Sequence, residues 1–352
     1  MRYLLLVGLS LIPAINSYAD NALDITGTKQ VPLAIQQPPA SNAYVSHKKS
    51  RYISLMDIKL SSKAWDVLSS KKQQTFTMAA AAPSATTAVD LAMNNVPVLD
   101  QGPYGACAMF ANTAAIDAIM GQGDYVSQLC QLQLGSYLEK TGYNPSGWNG
   151  SLGPVVLAQI DSFGIVSMDQ QKQLGCGGLT AYPKTGVVPS TVISPEDFHA
   201  ISTDLNSNMV WSNMLDPYQR FVDKADMTQV LFNVKKAITA GDRLTFGVLL
   251  FDTNLGVVGA VGKNHVNNDT WILTPQIIQD IRNNGDYGGH EMIITGFNDN
   301  ATATDDKGNT HKGLLTLRNS WGSGAGDHGD FYMSYDYFKL LTIEIQRIRK
   351  AD

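Results

Sequence analysis

The chain has 352 residues, room for one large domain or two small ones together with processed segments. Hydrophobic residues make up 44% and charged residues 16%, the balance of a folded protein with a sizeable core. A formal net charge of −5 and the lack of any basic stripe argue against a nucleic-acid partner.

In chain order, Met1-Arg2 is followed by the apolar run 3–12, then Pro13 and the small-residue ending Ser17-Tyr18-Ala19. That is the order of regions in a secretory signal peptide, so residues 1–19 are expected to be removed after Ala19. The run is too short to span a bilayer comfortably, and no later segment reaches transmembrane length. The expectation is an exported protein, extracellular or periplasmic, with no membrane attachment once the leader is cut.

Residues 20–42 are polar and rich in Pro and Gln, which reads as extended or loosely ordered chain. The alternation over 44–60 predicts a strand or hairpin, and Ser61/Ser62 cap a helix over 63–78 with Trp65, Leu68 and Phe76 on one face. The tract 79–88 holds small, uncharged residues and reads as a linker open to proteases. Residues 20–87 thus form an N-terminal module, and 88–352 form the main domain.

In the main domain, helical patterns occupy 108–120, 126–140, 153–163 and 227–239, with a loop-like stretch at 183–208. Strand patterns follow at 243–251, 291–297, 313–319 and 330–334. Helices first and mostly antiparallel strands afterwards give the α+β class.

The chemistry concentrates on Asp100-Gln-Gly-Pro-Tyr-Gly-Ala-Cys107-Ala-Met-Phe110. Cys107 follows a Gly-rich turn and heads a buried helix, where the macrodipole favours thiolate over thiol. Gln101, six residues upstream, returns around the turn as an amide donor, and a nucleophile beside a donor is half of an acyl-transfer site. Of the six histidines, only His290 opens a strand, in Gly288-Gly-His-Glu-Met-Ile-Ile. Asn319 ends another strand and offers a carbonyl oxygen to fix the imidazole tautomer, with Trp321 two residues on to shield that bond from water. The three cysteines leave an odd one: if Cys130 and Cys176 pair, Cys107 is free, although spacing alone does not establish the pairing.

Gln-Gly-x-x-Gly-Ala-Cys, then Gly-His before a strand, then Asn-Ser-Trp-Gly, in that order, resembles the papain-like cysteine peptidases over roughly residues 88–340. The resemblance implies a two-lobed fold, a helical lobe against a β-rich lobe with the cleft between them. It implies that Cys107 attacks the scissile carbonyl, His290 moves the proton, Asn319 orients His290, and Gln101 with the Cys107 N–H forms the oxyanion hole. Gly147-Trp-Asn-Gly-Ser151 resembles the family's Gly-Cys-Asn-Gly-Gly segment, so Gly150, Ser151 and Trp321 become the substrate-binding candidates. His290 and Asn319 lie farther downstream of Cys107 than is usual in the family, which implies insertions within 252–289 and 298–312.

The departures are specific. Ala108 stands where the family has an aromatic after the nucleophile, and Ala325 where it has a tryptophan. Tyr104 and Trp148 replace the two cysteines of a family disulfide, so the bridge is lost as a pair. The N-terminal module lacks the long helical pattern of common propeptides in the family.

Other motifs do not hold. His290-Glu-Met-Ile-Ile begins like a zinc-binding helix motif, but Ile294 replaces the second histidine. No cofactor or metal is called for. Asn149, Asn268 and Asn300 fit the glycosylation sequon, and a glycan at Asn149 would crowd the cleft, which suits a non-glycosylating source such as a bacterium. The reading is a monomeric, secreted endopeptidase acting on polypeptides, made as a zymogen inhibited by its own propeptide. The rivals are another acyl transfer by the same triad, transglutamination for example, and an inactive homologue that binds peptides or a partner.

Overall fold

The computed structural model describes residues 22–35, 49–70, 86–143, 145, 147–205, 209–251, 257–258, 261–263, 269–305 and 307–351. The leader at 1–19, most of the linker and Phe76 lie outside the described residues.

The chain begins with a hairpin, β1 (Leu23–Ile35) antiparallel to β2 (Lys49–Leu60), with a register shift between Ile25 and Gly27. Residues 20–42, read as extended or loosely ordered, contribute a full strand over 23–35: Leu23, Ile25, Val31 and Leu33 supply an apolar set that pairing with β2 makes worth burying. A short helix follows, α1 (Ser62–Ser69), capped by the Ser61 hydroxyl on the Ala64 N–H. It ends at Ser69, and the later part of the expected helix, 71–78, lies outside the described residues. Strand β3 (Ala88–Asp90) comes next among the described elements.

The helical lobe holds α2 (Cys107–Met120), α3 (Gln128–Lys140), α4 (Gly153–Phe163), α5 (Met168–Leu174) and α6 (Pro195–Ile201). Helix α2 is alanine-rich and buried on every side over Cys107–Ala118, as small side chains let neighbours approach closely. It stops at Gly121, whose φ of 71° is the left-handed cap a glycine takes without strain. The carboxylate of Asp117 then accepts from the Tyr125 and Val126 N–H groups and fixes the turn into α3. Ser127 caps α3 two residues later than the periodicity suggests. The stretch 183–208 is not all loop: Ser194, Pro195 and the acidic pair Glu196 and Asp197 start α6.

The β-rich lobe follows: β4 (Met209–Leu215), α7 (Pro217–Phe221), α8 (Met227–Thr239), β5 (Arg243–Phe251), β6 (Val257–Val258), β7 (Thr270–Trp271), α9 (Pro275–Arg282), β8 (Tyr287–Thr304), β9 (Thr310–Arg318), β10 (Asp330–Ser334), α10 (Tyr335–Leu341) and β11 (Thr342–Lys350). The sheet runs β4-β11-β5-β8-β9-β10-β7-β6, with only the β10–β7 pair parallel along this path. Strand β8 is its hub. It pairs with β5 and β9 along its length, with β3 near its middle, and with β2 through Met56 and Gly289. The expected strand 291–297 is thus the core of a longer one, and His290 is its fourth residue rather than its first.

Separate apolar cores fill the two lobes. One gathers the sheet with α8, α9, α10 and the N-terminal hairpin; the other gathers α2, α3 and α4. A disulfide joins Cys130 of α3 to Cys176, Cα atoms 5.1 Å apart, within the helical lobe. Among the described residues no helix is long and apolar enough to cross a membrane.

Candidate active site

Residues 100–107 form the turn that delivers Cys107 to the first position of α2. Gly102 takes a φ of 62°, and its N–H donates to the Asp100 carboxylate at 2.9 Å. The N-cap, Ala106, offers no side-chain acceptor, so the first turn of α2 is left without a side-chain cap at the thiol. Gln101 is held at both ends: its N–H donates to the Ser320 carbonyl at 2.9 Å, its Oε1 accepts from the Ser320 hydroxyl at 2.7 Å, and its Nε2 donates to the Tyr104 carbonyl at 2.8 Å. The loop after β9 therefore fixes the glutamine amide beside the turn.

From the other lobe, His290 Nε2 lies 2.8 Å from Asn319 Oδ1. A carbonyl oxygen accepts only, so Nε2 carries the hydrogen and Nδ1 keeps its lone pair. Nδ1 is buried with no hydrogen-bond partner among the described residues. Asn319 Oδ1 also accepts from the Ser320 N–H at 2.7 Å, and the Asn319 N–H donates to the Gly329 carbonyl at 3.0 Å. Trp321 stacks on the imidazole, ring centroids 4.4 Å apart at 27°. Trp271 and Phe331 meet Trp321 edge-on, which locks the roof over the His–Asn bond. Asp100 bridges to Trp321, and Cys107 belongs to the same buried cluster as Trp321 and Met56. Gln101, His290, Asn319 and Trp321 are thus linked in one buried seam between the lobes; Cys107 is buried beside it, its thiol reached by the Glu291 backbone N–H, and it makes no hydrogen bond to His290 Nδ1.

Burial governs the electrostatics of that seam. Loss of water, followed by the charge of Glu291, pushes the Cys107 thiol up to about 12, against the pull of the backbone N–H of Glu291 on β8 and those of Ala108 and Cys107 at the helix start. Burial brings His290 down to about 4, with the Asn319 bond working the other way. The expectation of a thiolate at the helix N-terminus is therefore corrected for this state: dehydration outweighs the dipole, and thiol and imidazole are both neutral.

The N-terminal hairpin lies against this seam. Met56 pairs with Gly289, immediately before His290. A Cβ at Gly289 would come within 2.2 Å of Ile58 Cδ1, and one at Gly288 within 2.6 Å of Leu55 Cβ. On the helical lobe, a Cβ at Gly105 would meet Thr28 Cγ2 at 2.3 Å, and one at Gly150 would meet Ile25 Cγ2 at 2.9 Å and Met56 Cγ at 3.0 Å. Glycines on both lobes thus let the hairpin lie directly on the seam. Polar ties hold it there: the Ser54 hydroxyl donates to the Pro103 carbonyl at 2.7 Å, and Lys29 pairs with Asp286 at 2.5 Å. Gly150 lies under the hairpin, and Ser151 beside it is 2% exposed. Trp321 is equally enclosed, stacked on His290 rather than lining open cleft. Ala108 and Ala325 are each 1% exposed, so the positions of the missing aromatics are filled by packing.

Sequence reasoning missed two features of this seam. Glu291 and Glu344 are fully buried on either side of Gly247, which pairs with both. The Asn112 amide donates to Glu291 Oε1 at 2.7 Å, and the Gly153 N–H at the start of α4 donates to Glu344 Oε1 at 3.0 Å. Burial and then the charge of Glu344 hold Glu291 well above the usual carboxyl range, and burial raises Glu344 to about 8. A lone acidic residue inside each apolar strand run was the available signal. The other feature is aromatic. Tyr104 meets Trp148 edge-on at 4.9 Å, in place of the disulfide that the resemblance would have put there, and Tyr182 stacks on Trp148.

No family model and no curated protein matches the chain. Solved structures do. Xylellain, a cysteine protease from Xylella fastidiosa, is similar with a TM-score of 0.50 and 18% identity, over 76% of this chain and 88% of that one. Digestive procathepsin L 3 of Tenebrio molitor larval midgut aligns with a TM-score of 0.45 and 15% identity, over 82% of this chain and 78% of that one. Bromelain from Ananas comosus aligns with a TM-score of 0.42 and 16% identity, over 76% and 99%. At these identities the xylellain similarity speaks for architecture alone: the chain has the α+β, two-lobed papain-like fold.

Proposed function

We propose that the chain is the proform of a secreted cysteine endopeptidase, with 1–19 as leader, 20–87 as propeptide and 88–352 as peptidase domain. The observation that carries the reading is the His290–Asn319 hydrogen bond roofed by Trp321, in one buried seam with the tethered amide of Gln101 and beside the buried Cys107. Cys107 Sγ attacks the scissile carbonyl while His290 Nδ1 takes its proton, and Asn319 keeps the imidazole in the tautomer that allows this. The oxyanion that develops is met by the Gln101 amide and the Cys107 N–H. The imidazolium then protonates the leaving amine, and water hydrolyses the thioester. Gly150 and Ser151 border the cleft on the side where an extended peptide would pair.

The hairpin supports the zymogen part of the reading, since it lies over glycines of both lobes beside the buried thiol and base. Once it leaves, water returns to the seam and the thiolate–imidazolium pair becomes accessible. The test is to cut the full chain between residues 70 and 86, then measure peptide hydrolysis and labelling by a peptidyl epoxide. Turnover and labelling that both vanish in Cys107→Ser, with turnover lost in His290→Ala, support the proposal. Cut protein that folds but shows no Cys107-dependent labelling refutes it. Peptide transfer to an added amine in preference to water would replace hydrolysis with the transferase reading.

A further inference from the structure

Tyr182 lies outside every residue given a role above, yet its phenol O–H donates to the backbone carbonyl of Gln101 at 3.0 Å. Ser320 and Tyr104 hold the remaining groups of Gln101, so the Tyr182 bond completes a frame around it. The carbonyl it grips belongs to the peptide that enters the left-handed Gly102 turn, and the orientation of that peptide sets where the Gln101 side chain starts. A turn of this kind has little sheet or helix bonding of its own to fix it.

The tyrosine is itself held rigidly. Its ring stacks on Trp148 at 5.6 Å and 28°, and meets Tyr104 and Phe110 edge-on at 5.8 Å and 5.2 Å. Tyr104 accepts from the Gly186 N–H and donates to the Val187 carbonyl, each at 3.2 Å, which ties the cluster to the next loop. The Gly105 N–H donates to the Trp148 carbonyl at 2.8 Å, joining the nucleophile turn to the 147–151 segment. Burial pushes the phenol well above its usual range, so it stays a neutral donor at any pH where a thiol enzyme works.

We propose that Tyr182 is a positioning residue for the Gln101 amide, acting through an aromatic clamp that stands in for the absent disulfide between positions 104 and 148. The inference rests on the peptidase reading, in which Gln101 supplies an oxyanion donor. It assigns to a phenol and three packed rings a task that needs no covalent cross-link, so it does not respond to reductant.

The test uses the full chain cut between residues 70 and 86. Tyr182→Phe keeps the ring and removes only the O–H. Losing an oxyanion donor outright costs about 10²–10³ in kcat. A donor left in place but loosened is expected to lower kcat by about tenfold, with KM unchanged. Iodoacetamide alkylation of Cys107 develops no oxyanion, so its rate is expected to match the parent's. In a Gln101→Ala background, Tyr182→Phe is expected to change kcat by less than about twofold, because the group it positions is gone. An unchanged kcat, an equal loss in the Gln101→Ala background, or a parallel fall in alkylation each overturns the inference while leaving the peptidase reading intact. A parent protein without Cys107-dependent turnover overturns both.

Discussion

Met56 and Gly289 stand opposite one another on the rung that joins the N-terminal hairpin to β8, and the Met56 Cε would lie 3.1 Å from a Cβ added at 289. The residue after that glycine is His290, so this rung is where the hairpin closes over the base. Met56→Glu puts a charge into a space lined by Ile25, Ile58 and two glycines. Burying an unpaired charge costs several kcal/mol, and every ~1.4 kcal/mol is a tenfold shift in population. The hairpin is therefore expected to open, and Cys107 in the uncut chain to be alkylated by iodoacetamide at least about tenfold faster. An unchanged rate, with the fold intact by circular dichroism, would show that Met56 does not hold the lid.

The titration of Cys107 is expected to differ between the covered and uncovered states. In the intact chain the thiol sits at about 12 and His290 at about 4, so alkylation should stay slow from pH 5 to 9 and climb only in strong alkali. With the hairpin removed, water and an imidazolium partner both favour the thiolate, and the rate should reach its plateau below pH 7. The rate–pH curves of uncut and cut protein check this; coincident curves would contradict it.

The Glu291–Glu344 pair predicts a stability that falls as pH rises. Both carboxyls start from 4.5 in the unfolded chain; folding lifts Glu344 to about 8 and Glu291 well up in the same direction. Below 4.5 both states hold the protons and the pair contributes no difference. Between there and about 8 the unfolded chain releases protons that the fold retains, so unfolding becomes progressively easier. Asp117, raised to about 7 by burial, adds in the same sense. Tm is expected to drop from pH 5 to pH 8, and Glu291→Gln, which keeps the volume and removes the charge, to flatten the slope. A Tm that rises over that range would contradict the assignment.

The Cys130–Cys176 bridge closes a loop with a sequence separation of 46. Its removal by double substitution to alanine is expected to cost about 2–4 kcal/mol of stability. Denaturant melts measure this. Because the bridge lies away from the seam, the double variant should keep its Cys107-dependent turnover at temperatures where it remains folded.

The residues of the seam were legible because each sits in a short local pattern. A turn before a helix marks Cys107, Gly-Gly before an apolar run marks His290, and Asn-Ser-Trp-Gly marks Asn319. Helix α4 and strand β5 were legible as apolar runs, α4 opened by Gly153-Pro154 and β5 buried along its whole length. The strand β1 was not, because its polar residues 26–30 become strand only by pairing with β2 and lying over Gly105 and Gly150, contacts far along the chain. Strand β11 alternates apolar and polar residues, but Glu344 and Gln346, which look like its solvent face, are buried against the helical lobe. Tyr182 had no local signal at all. Its meaning comes from a carbonyl 81 positions upstream.

The hairpin carries no cysteine, and the disulfide lies wholly within the helical lobe. Nothing covalent except the chain beyond Ser70 keeps the lid near the seam. While that tether is whole, closure of the hairpin is intramolecular and its effective concentration at the seam does not fall with dilution. A single cut converts an intramolecular closure into an ordinary bimolecular equilibrium, and dilution below the hairpin's dissociation constant then opens the protein. Activation would thus be sensitive to volume: abrupt in a large, dilute space, and held back where the cut protein stays crowded.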